Sequence, residues 1–223
     1  MVAAASAYWA PALTGRIASL RPLLGVHDTV SARDGVALTF DDGPHPEGTP
    51  ATLELLAAAN ARATFFFSGE QVARRPALAA EVAAAGHAIG VHCQRHRNLL
   101  RLSPLQVGDD LRRAEDVIGS ATGRPLRLYR PPYGVLNAAA LAFARRRGWT
   151  PLLWTRWGRD WKPFATPASI AWRLTAGVRG GDVLLLHDAD YYSAEGSWKR
   201  MLGALPLVLD ALRAAGLRPV SAA

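Results

Sequence analysis

Short apolar runs alternating with helical stretches set the strongest limit on what this chain can fold into. VALTF (Val36 to Phe40), ATFFFSG (Ala63 to Gly69), AIGVH (Ala88 to His92), LRLYR (Leu126 to Arg130), TPLLWT (Thr150 to Thr155) and DVLLLHD (Asp182 to Asp188) read as strands. Helical stretches lie between them. Thr49 and Pro50 read as N-cap and first helical residue of LELLAAAN, and RPALAAEVAAAG stops at Gly86. Ser103-Pro104-Leu105-Gln106 matches a capping box that opens a helix running to about Gly119. AAALAFARRRG, a helix begun at Thr166-Pro167, and SWKRMLGALPLVLDALRAAG complete the series, with LRPV as a candidate last strand. Such alternation predicts an α/β fold with a parallel sheet, open or closed into a barrel.

The 223 residues suit one domain with a sizeable core, and 50% hydrophobic with 20% charged residues exclude a disordered chain. The net charge of +8 raises nucleic acid as a partner. Against it, the cations are nearly all arginines spread along the chain, and the one tight cluster, Arg145 to Arg147, precedes Gly148 where it suits a helix C-terminus. No nucleic-acid partner is expected. Cys93 is the only cysteine, which rules out an internal disulfide. The opening MVAAASAYWAPALTGRIASLRPLLGV has neither a basic start followed by a clean apolar core nor an apolar span of membrane length, so a cytoplasmic protein without a transmembrane segment is expected. Tyr8, Trp9, Leu13, Ile17 and Leu20 form an amphipathic stripe suited to docking on the domain, with resting on a membrane surface as the alternative. Residues 1–35 therefore read as an extension packed on a domain of residues 36–223.

The polar residues with chemistry fall at strand ends. Asp41-Asp42, His92, Arg130, Asp160 and His187 all lie at or just past the C-terminal ends of the expected strands, where parallel α/β folds and barrels carry their sites. In LTFDDGPHP, pleating would send Asp41 and Asp42 to opposite faces, but Gly43-Pro44 ends the strand and lets both turn inward. His92 and His96 have the spacing of one face of a helical turn. With one carboxylate they make a His₂Asp set that leaves a coordination position open, as catalytic zinc requires. Taken singly, each residue has a plainer role: a turn-forming aspartate, a satisfied loop histidine, a surface arginine, a cap.

Together, TFDDGP (Thr39 to Pro44), H-x-x-x-H (His92 to His96), RPPYG (Arg130 to Gly134), DW (Asp160-Trp161) and LLLHD (Leu184 to Asp188) resemble, in order, the motifs of the polysaccharide deacetylases, carbohydrate esterase family four. The resemblance spans Val36 to Asp188 and implies a distorted (β/α) barrel. It also implies metal-dependent removal of an acetyl group from an N-acetylated amino sugar in a polysaccharide, oligosaccharide or glycoconjugate. Carried over, Asp42, His92 and His96 would hold one divalent metal, most simply Zn²⁺, with Co²⁺ or Ni²⁺ as alternatives. Asp41 would be the general base, paired with Arg130, and the Tyr133 backbone N–H would help bind the oxyanion. His187, tuned by Asp160, would be the general acid, and Trp161 and Leu185 would line the acetyl pocket. Cys93 departs from the family's usual Ser or Thr, and Thr155 and Trp157 from its frequent acidic residues, which bears on the shape of the sugar site. Trp154, Trp157, Tyr191 and Tyr192 read as core aromatics or sugar-stacking surfaces, Asp188 as structural, and His27, His45 and His87 carry no assigned role. The alternatives are a deacetylase or amidase of a small glycosylated metabolite, an O-acetyl xylan esterase, or a non-catalytic carbohydrate-binding protein. The sequence leaves the oligomeric state open.

Overall fold

All seven residues of β1 (Gly35–Asp41) are buried, a condition a strand meets only when both of its faces are covered. In the computed structural model, which describes residues 8–15 and 17–222, β1 sits in the middle of a parallel sheet. β2 (Thr64–Ser68), β3 (Ala88–Cys93), β4 (Leu128–Tyr129) and β5 (Thr150–Pro151) follow on one side. β7 (Val183–His187) and then β6 (Arg156–Trp157) lie on the other, and β8 (Arg218–Val220) pairs with Gly35 to Ala37. The sheet curls into a half-barrel whose edges, β5 and β6, do not pair with each other.

The stretch from Val26 to Val30 bridges that seam. The His27 N–H donates to Pro151 O (2.8 Å), the Leu153 N–H to His27 O (2.7 Å) and the Val30 N–H to Gly181 O (2.9 Å). Of the expected extension, residues 1–7 and 16 lie outside the described residues. The amphipathic stripe docks only in part. The Tyr8 hydroxyl donates to Leu102 O (2.7 Å) and accepts from Asn137, whereas Trp9, Leu13 and Ile17 are 44–48% exposed.

Seven α-helices flank the described sheet: α1 (Gly48–Ala58), α2 (Gly69–Arg74), α3 (Pro76–Ala84), α4 (Pro104–Thr122), α5 (Ala138–Arg147), α6 (Pro167–Thr175) and α7 (Ser197–Ala214). The α4 capping box forms, but the helix passes Gly119 and ends at Gly123, which has the left-handed φ of 61° that closes a helix. Thr49 is inside α1 rather than at its cap, because its hydroxyl serves Asp188 and the His45 N–H instead. β4 and β5 keep only two residues each: Pro131 ends the first, and Pro151, with no N–H to give, limits the second.

The core has two sides. Toward the helices, Phe40 and Phe65 stack at 5.1 Å within a large apolar cluster. Inside the half-barrel a smaller layer of Ala37, Phe66, Leu128, Leu152 and Val183 forms a floor. A Cβ at Gly90 would come within 2.5 Å of the Phe66 ring, so glycine there is what lets the ring fill the lumen. On top of Phe66, 4.0 Å from its centroid, lies the Arg130 guanidinium. The polar site begins at that layer.

Candidate active site

Asp41 is the last residue of β1 and points into the lumen on the same face as Ala37 and Thr39. Asp42 has a φ of 78°, which turns the next carboxylate back toward the same space, at a strain of ~1–3 kcal/mol. The turn closes on Gly43, where a Cβ would stand 2.6 Å from the Asp188 carboxylate. Local backbone, then, lets adjacent aspartates serve one site.

Arg130 is fully buried, with its donors engaged by Asp41 Oδ1 (2.8 Å), Thr39 Oγ1 (2.7 Å), Leu152 O (2.9 Å) and Leu153 O (3.0 Å). A buried charge so completely paired is a rigid support, and it fixes the Asp41 carboxylate.

Beside Asp41 lie three convergent donors. One ligand atom from each of Asp42, His92 and His96 falls within 4.8 Å of the others. His92 Nδ1 is 2.7 Å from Arg130 O; its N–H donates there, which leaves Nε2 as the lone-pair atom, 3.4 Å from Asp42 Oδ1. His96 Nε2 is 3.6 Å from the same oxygen. That oxygen is buried and has no hydrogen-bond partner among the described residues. Burial opposes charge on Asp42, but His92, His187 and His96 around it outweigh burial and bring its pKa to about 2. Burial, with His92 alongside, pushes His96 down to about 4, so its ring is neutral near pH 7. A carboxylate, two imidazoles and an orphaned oxygen at their centre fit a divalent cation.

The route to this convergence differs from the expected helical turn. β3 carries His92 in its extended strand, and His96 lies beyond a bend. Buried Asp110 of α4 holds that bend, accepting from the Gln94 N–H (2.8 Å) and from Arg97 (2.7 Å). Tyr192 stacks on the His96 ring at 4.4 Å and Tyr133 meets it edge-on at 4.6 Å. Neither Asp110 nor the Tyr192 contact had a local signal in the sequence.

Across the pocket stands His187. Its Nδ1 is 3.0 Å from Asp160 Oδ1, and its backbone N–H donates to Asp160 Oδ2 at 2.7 Å. Nε2 faces the cluster, 4.0 Å from Asp42 Oδ2. Burial would lower this histidine, but the charge and hydrogen bond of Asp160, followed by Asp42 and Asp41, raise its pKa to about 10.

The pocket enclosed by these groups measures about 240 Å³, and Tyr133, Trp161, Leu185 and Tyr192 line it. Tyr133, like Asp42, has a left-handed φ, 60°. Trp157 is 42% exposed at the rim. The remaining residues of interest lie apart. Cys93 is a buried thiol 3.6 Å from Ser68 Oγ, His45 packs on Tyr191 and Trp198, and His87 Nδ1 accepts from the Ala63 N–H. Asp188 is buried and accepts from Thr49.

The profile of the polysaccharide deacetylase family matches residues 29–152. The chain belongs to that family. The deacetylase is 34% identical over 188 residues to a peptidoglycan-N-acetylglucosamine deacetylase of Bacillus cereus, an alignment covering 83% of this chain and 85% of the relative. It is 37% identical over 173 residues to a chitooligosaccharide deacetylase of Bradyrhizobium, covering 75% and 78%. Among solved structures, a peptidoglycan N-acetylglucosamine deacetylase in complex with 4-naphthalen-1-yl-N-oxidanyl-benzamide superposes with a TM-score of 0.84 at 27% identity, covering 91% and 93% of the two chains. The half-barrel is thus the distorted barrel of family-four carbohydrate esterases. The family's deacetylases are metal-dependent hydrolases, and the Asp42, His92 and His96 donors could hold such an ion here. No helix among the described residues is long and apolar enough to cross a membrane.

Proposed function

We propose that the deacetylase removes the N-acetyl group from an N-acetylglucosamine unit of a glycan, either peptidoglycan or a chitooligosaccharide, with Asp42, His92 and His96 holding one zinc ion. The observation that carries this proposal is the opposition of two unlike groups across one small pocket: the carboxylate–imidazole cluster on one side and cationic His187 on the other, with Asp41 lining the same pocket. The N,O donor set suits zinc, and cobalt or nickel are the alternatives.

When bound, a divalent cation supplies Lewis-acid polarisation of the amide carbonyl and lowers the pKa of water to about 7. Asp41, fixed by Arg130, takes the proton from the attacking water. The backbone N–H of Tyr133 donates to the carbonyl oxygen as negative charge develops on it. His187 Nε2 then gives its proton to the amide nitrogen as the C–N bond breaks, releasing acetate and the free amine. Asp160 orients the His187 ring and favours its protonated form. Trp161 and Leu185 bound the space for the acetyl methyl.

An amine leaving group needs the proton that His187 carries, whereas an ester's alkoxide needs it less. This supports N-deacetylation over an O-acetyl xylan esterase. The test is acetate release by zinc-loaded protein from chitooligosaccharides, peptidoglycan fragments, acetyl-xylan and small N-acetylated glycosides, with a chelator and Asp41→Asn as controls. Release from the amino-sugar glycans that both controls abolish supports the proposal. Release only from acetyl-xylan or only from small glycosides overturns the substrate class, and carbohydrate binding without release would favour a non-catalytic role. Residues 36–223 are proposed as the catalytic domain and 1–35 as an extension on it. The cytoplasmic location is likewise a proposal, overturned by recovery of the protein from the wall or the medium.

A further inference from the structure

Trp9, Leu13 and Ile17 of the expected docking stripe face outward, and the local backbone explains why. Residues Ala10–Gly15 wind as a 3₁₀ helix, in which side chains three apart eclipse one another. The set that meets the domain is therefore Tyr8, Pro11 and Thr14. Pro11 and Thr14 are buried, and the Tyr8 hydroxyl is held by Leu102 O and Asn137. Residues spaced by four cannot share that face. The Ile17 N–H donates to Leu13 O (2.7 Å), which keeps Ile17 one turn along from Leu13 on the outer side, and Leu23 follows at 76% exposure. Large apolar side chains gathered in this way mark an interaction surface.

The charges around them have one sign. Three segments meet here: residues 8–25, the stretch through Leu102 that accepts from Tyr8, and α5, whose Arg145 donates to Leu24 O (2.9 Å). No Asp or Glu occurs before Asp28, from Arg95 to Gly108 or from Asn137 to Trp149. Asp28, Asp109, Asp110 and Glu115, which come next on these segments and on α4, pair with Arg21, Arg112, Arg97 and Arg147. Only Asp116 of α4 stays exposed and unpaired among the described residues. Arg101, Arg145 and Arg146 are exposed, with no carboxylate partner among the described residues. A nucleic acid would engage these arginines but leave Trp9 and the leucines in water. A second copy of the chain would set arginines against arginines. An anionic lipid surface satisfies both sets, with indole and aliphatic groups at the acyl boundary and guanidinium groups on phosphates.

We infer that residues 9–23, bordered by Arg101, Arg145 and Arg146, seat the protein peripherally on an anionic bilayer. The inference is independent of the reaction, and so is its test. Full-length protein is sedimented with vesicles of phosphatidylcholine alone and of phosphatidylcholine containing roughly a quarter phosphatidylglycerol. The wild type should bind the anionic vesicles and lose that binding between about 0.05 and about 0.5 M salt. Trp9→Ser/Leu13→Ser/Ile17→Ser should weaken binding at least about tenfold, and Arg101→Gln/Arg146→Gln several-fold, with wild-type circular dichroism in both. Phe164→Ser, which removes a 93% exposed ring elsewhere on the molecule, should bind as the wild type does. No binding to the anionic vesicles, equal binding to neutral ones, or binding that survives the triple substitution overturns the inference. So does a dimer in solution that the triple substitution dissociates, which would assign the surface to a second copy.

Discussion

His96 and His187 face the same pocket with opposite electrostatics. His96, wedged between Tyr192 and Tyr133 with its Nδ1 buried and unpartnered among the described residues, is pushed down to about 4. His187, also poorly accessible, is raised to about 10 because Asp160 takes its Nδ1 hydrogen and two more carboxylates face it. Burial lowers both, so burial cannot be what separates them. The partner on the second ring nitrogen decides, and it suits one histidine to the proposed role of lone-pair donor and the other to that of proton donor.

The contrast breaks hardest at His187. His187→Ala should lower kcat on N-acetyl substrates by about 10²–10⁴-fold while zinc remains bound, as metal analysis of the purified variant would show. Loss of the metal together with activity would mean that the two sides are not separable. His96→Ala should do the reverse: zinc affinity falls by more than about a hundredfold, measured by competition with a chromogenic chelator, and activity follows the metal. Wild-type affinity in that variant would remove His96 from the cluster.

Next in size is the origin of the high His187 value. Asp160→Asn removes the anion but keeps an oxygen acceptor, so burial is less opposed and the pKa of His187 falls. As the proposed general acid, His187 must be protonated, so the alkaline limb of the kcat profile should move to lower pH, with about a tenfold loss near pH 8 and partial recovery toward pH 6. A bound dication lowers the value from 10 in wild type and variant alike, so the direction of the displacement is the observable. For stability, a folded-state pKa raised from 6.5 to about 10 contributes fully below about 6.5 and is lost as pH rises through 10. The variant should therefore lose thermal stability more at pH 6 than at pH 10.

The chemistry of this contrast could be read from the sequence, whereas its causes could be read only partly. Asp41-Asp42, His92, Arg130 and His187 stand out because each lies at or just past the end of a short apolar strand, and strand–helix alternation brings such ends to one rim; His96 stands out only by its spacing from His92. The Gly43-Pro44 turn carries a local signal for why both aspartates face inward. The path between His92 and His96 does not: the four-residue spacing suggests a helix, but β3 pairing keeps His92 extended, and the bend that returns His96 depends on Asp110 in a distant helix. Two-residue β6 has too little alternation to detect, and Tyr192 arrives on His96 from the DADYYSAEGSW loop, where no periodicity applies.

Asp110 offers the smallest and most specific test. Among the described residues His96 has no hydrogen-bond partner at Nδ1 to hold its ring, so its aim rests on two tyrosine faces and on the backbone from Cys93 to Arg97. Asp110 holds that backbone at Gln94 and Arg97. Asp110→Ala leaves the Gln94 N–H without its acceptor, a cost of about 1–3 kcal/mol that the bend relieves by shifting. His92 should keep its place through β3 and Arg130 O, so only one of the three donors is displaced. The expected result is about a tenfold loss of zinc affinity, with kcat at saturating zinc within about threefold of wild type. Unchanged affinity would mean that the tyrosine faces alone aim His96. A kcat loss that saturating zinc does not repair would mean that the bend also shapes the substrate pocket.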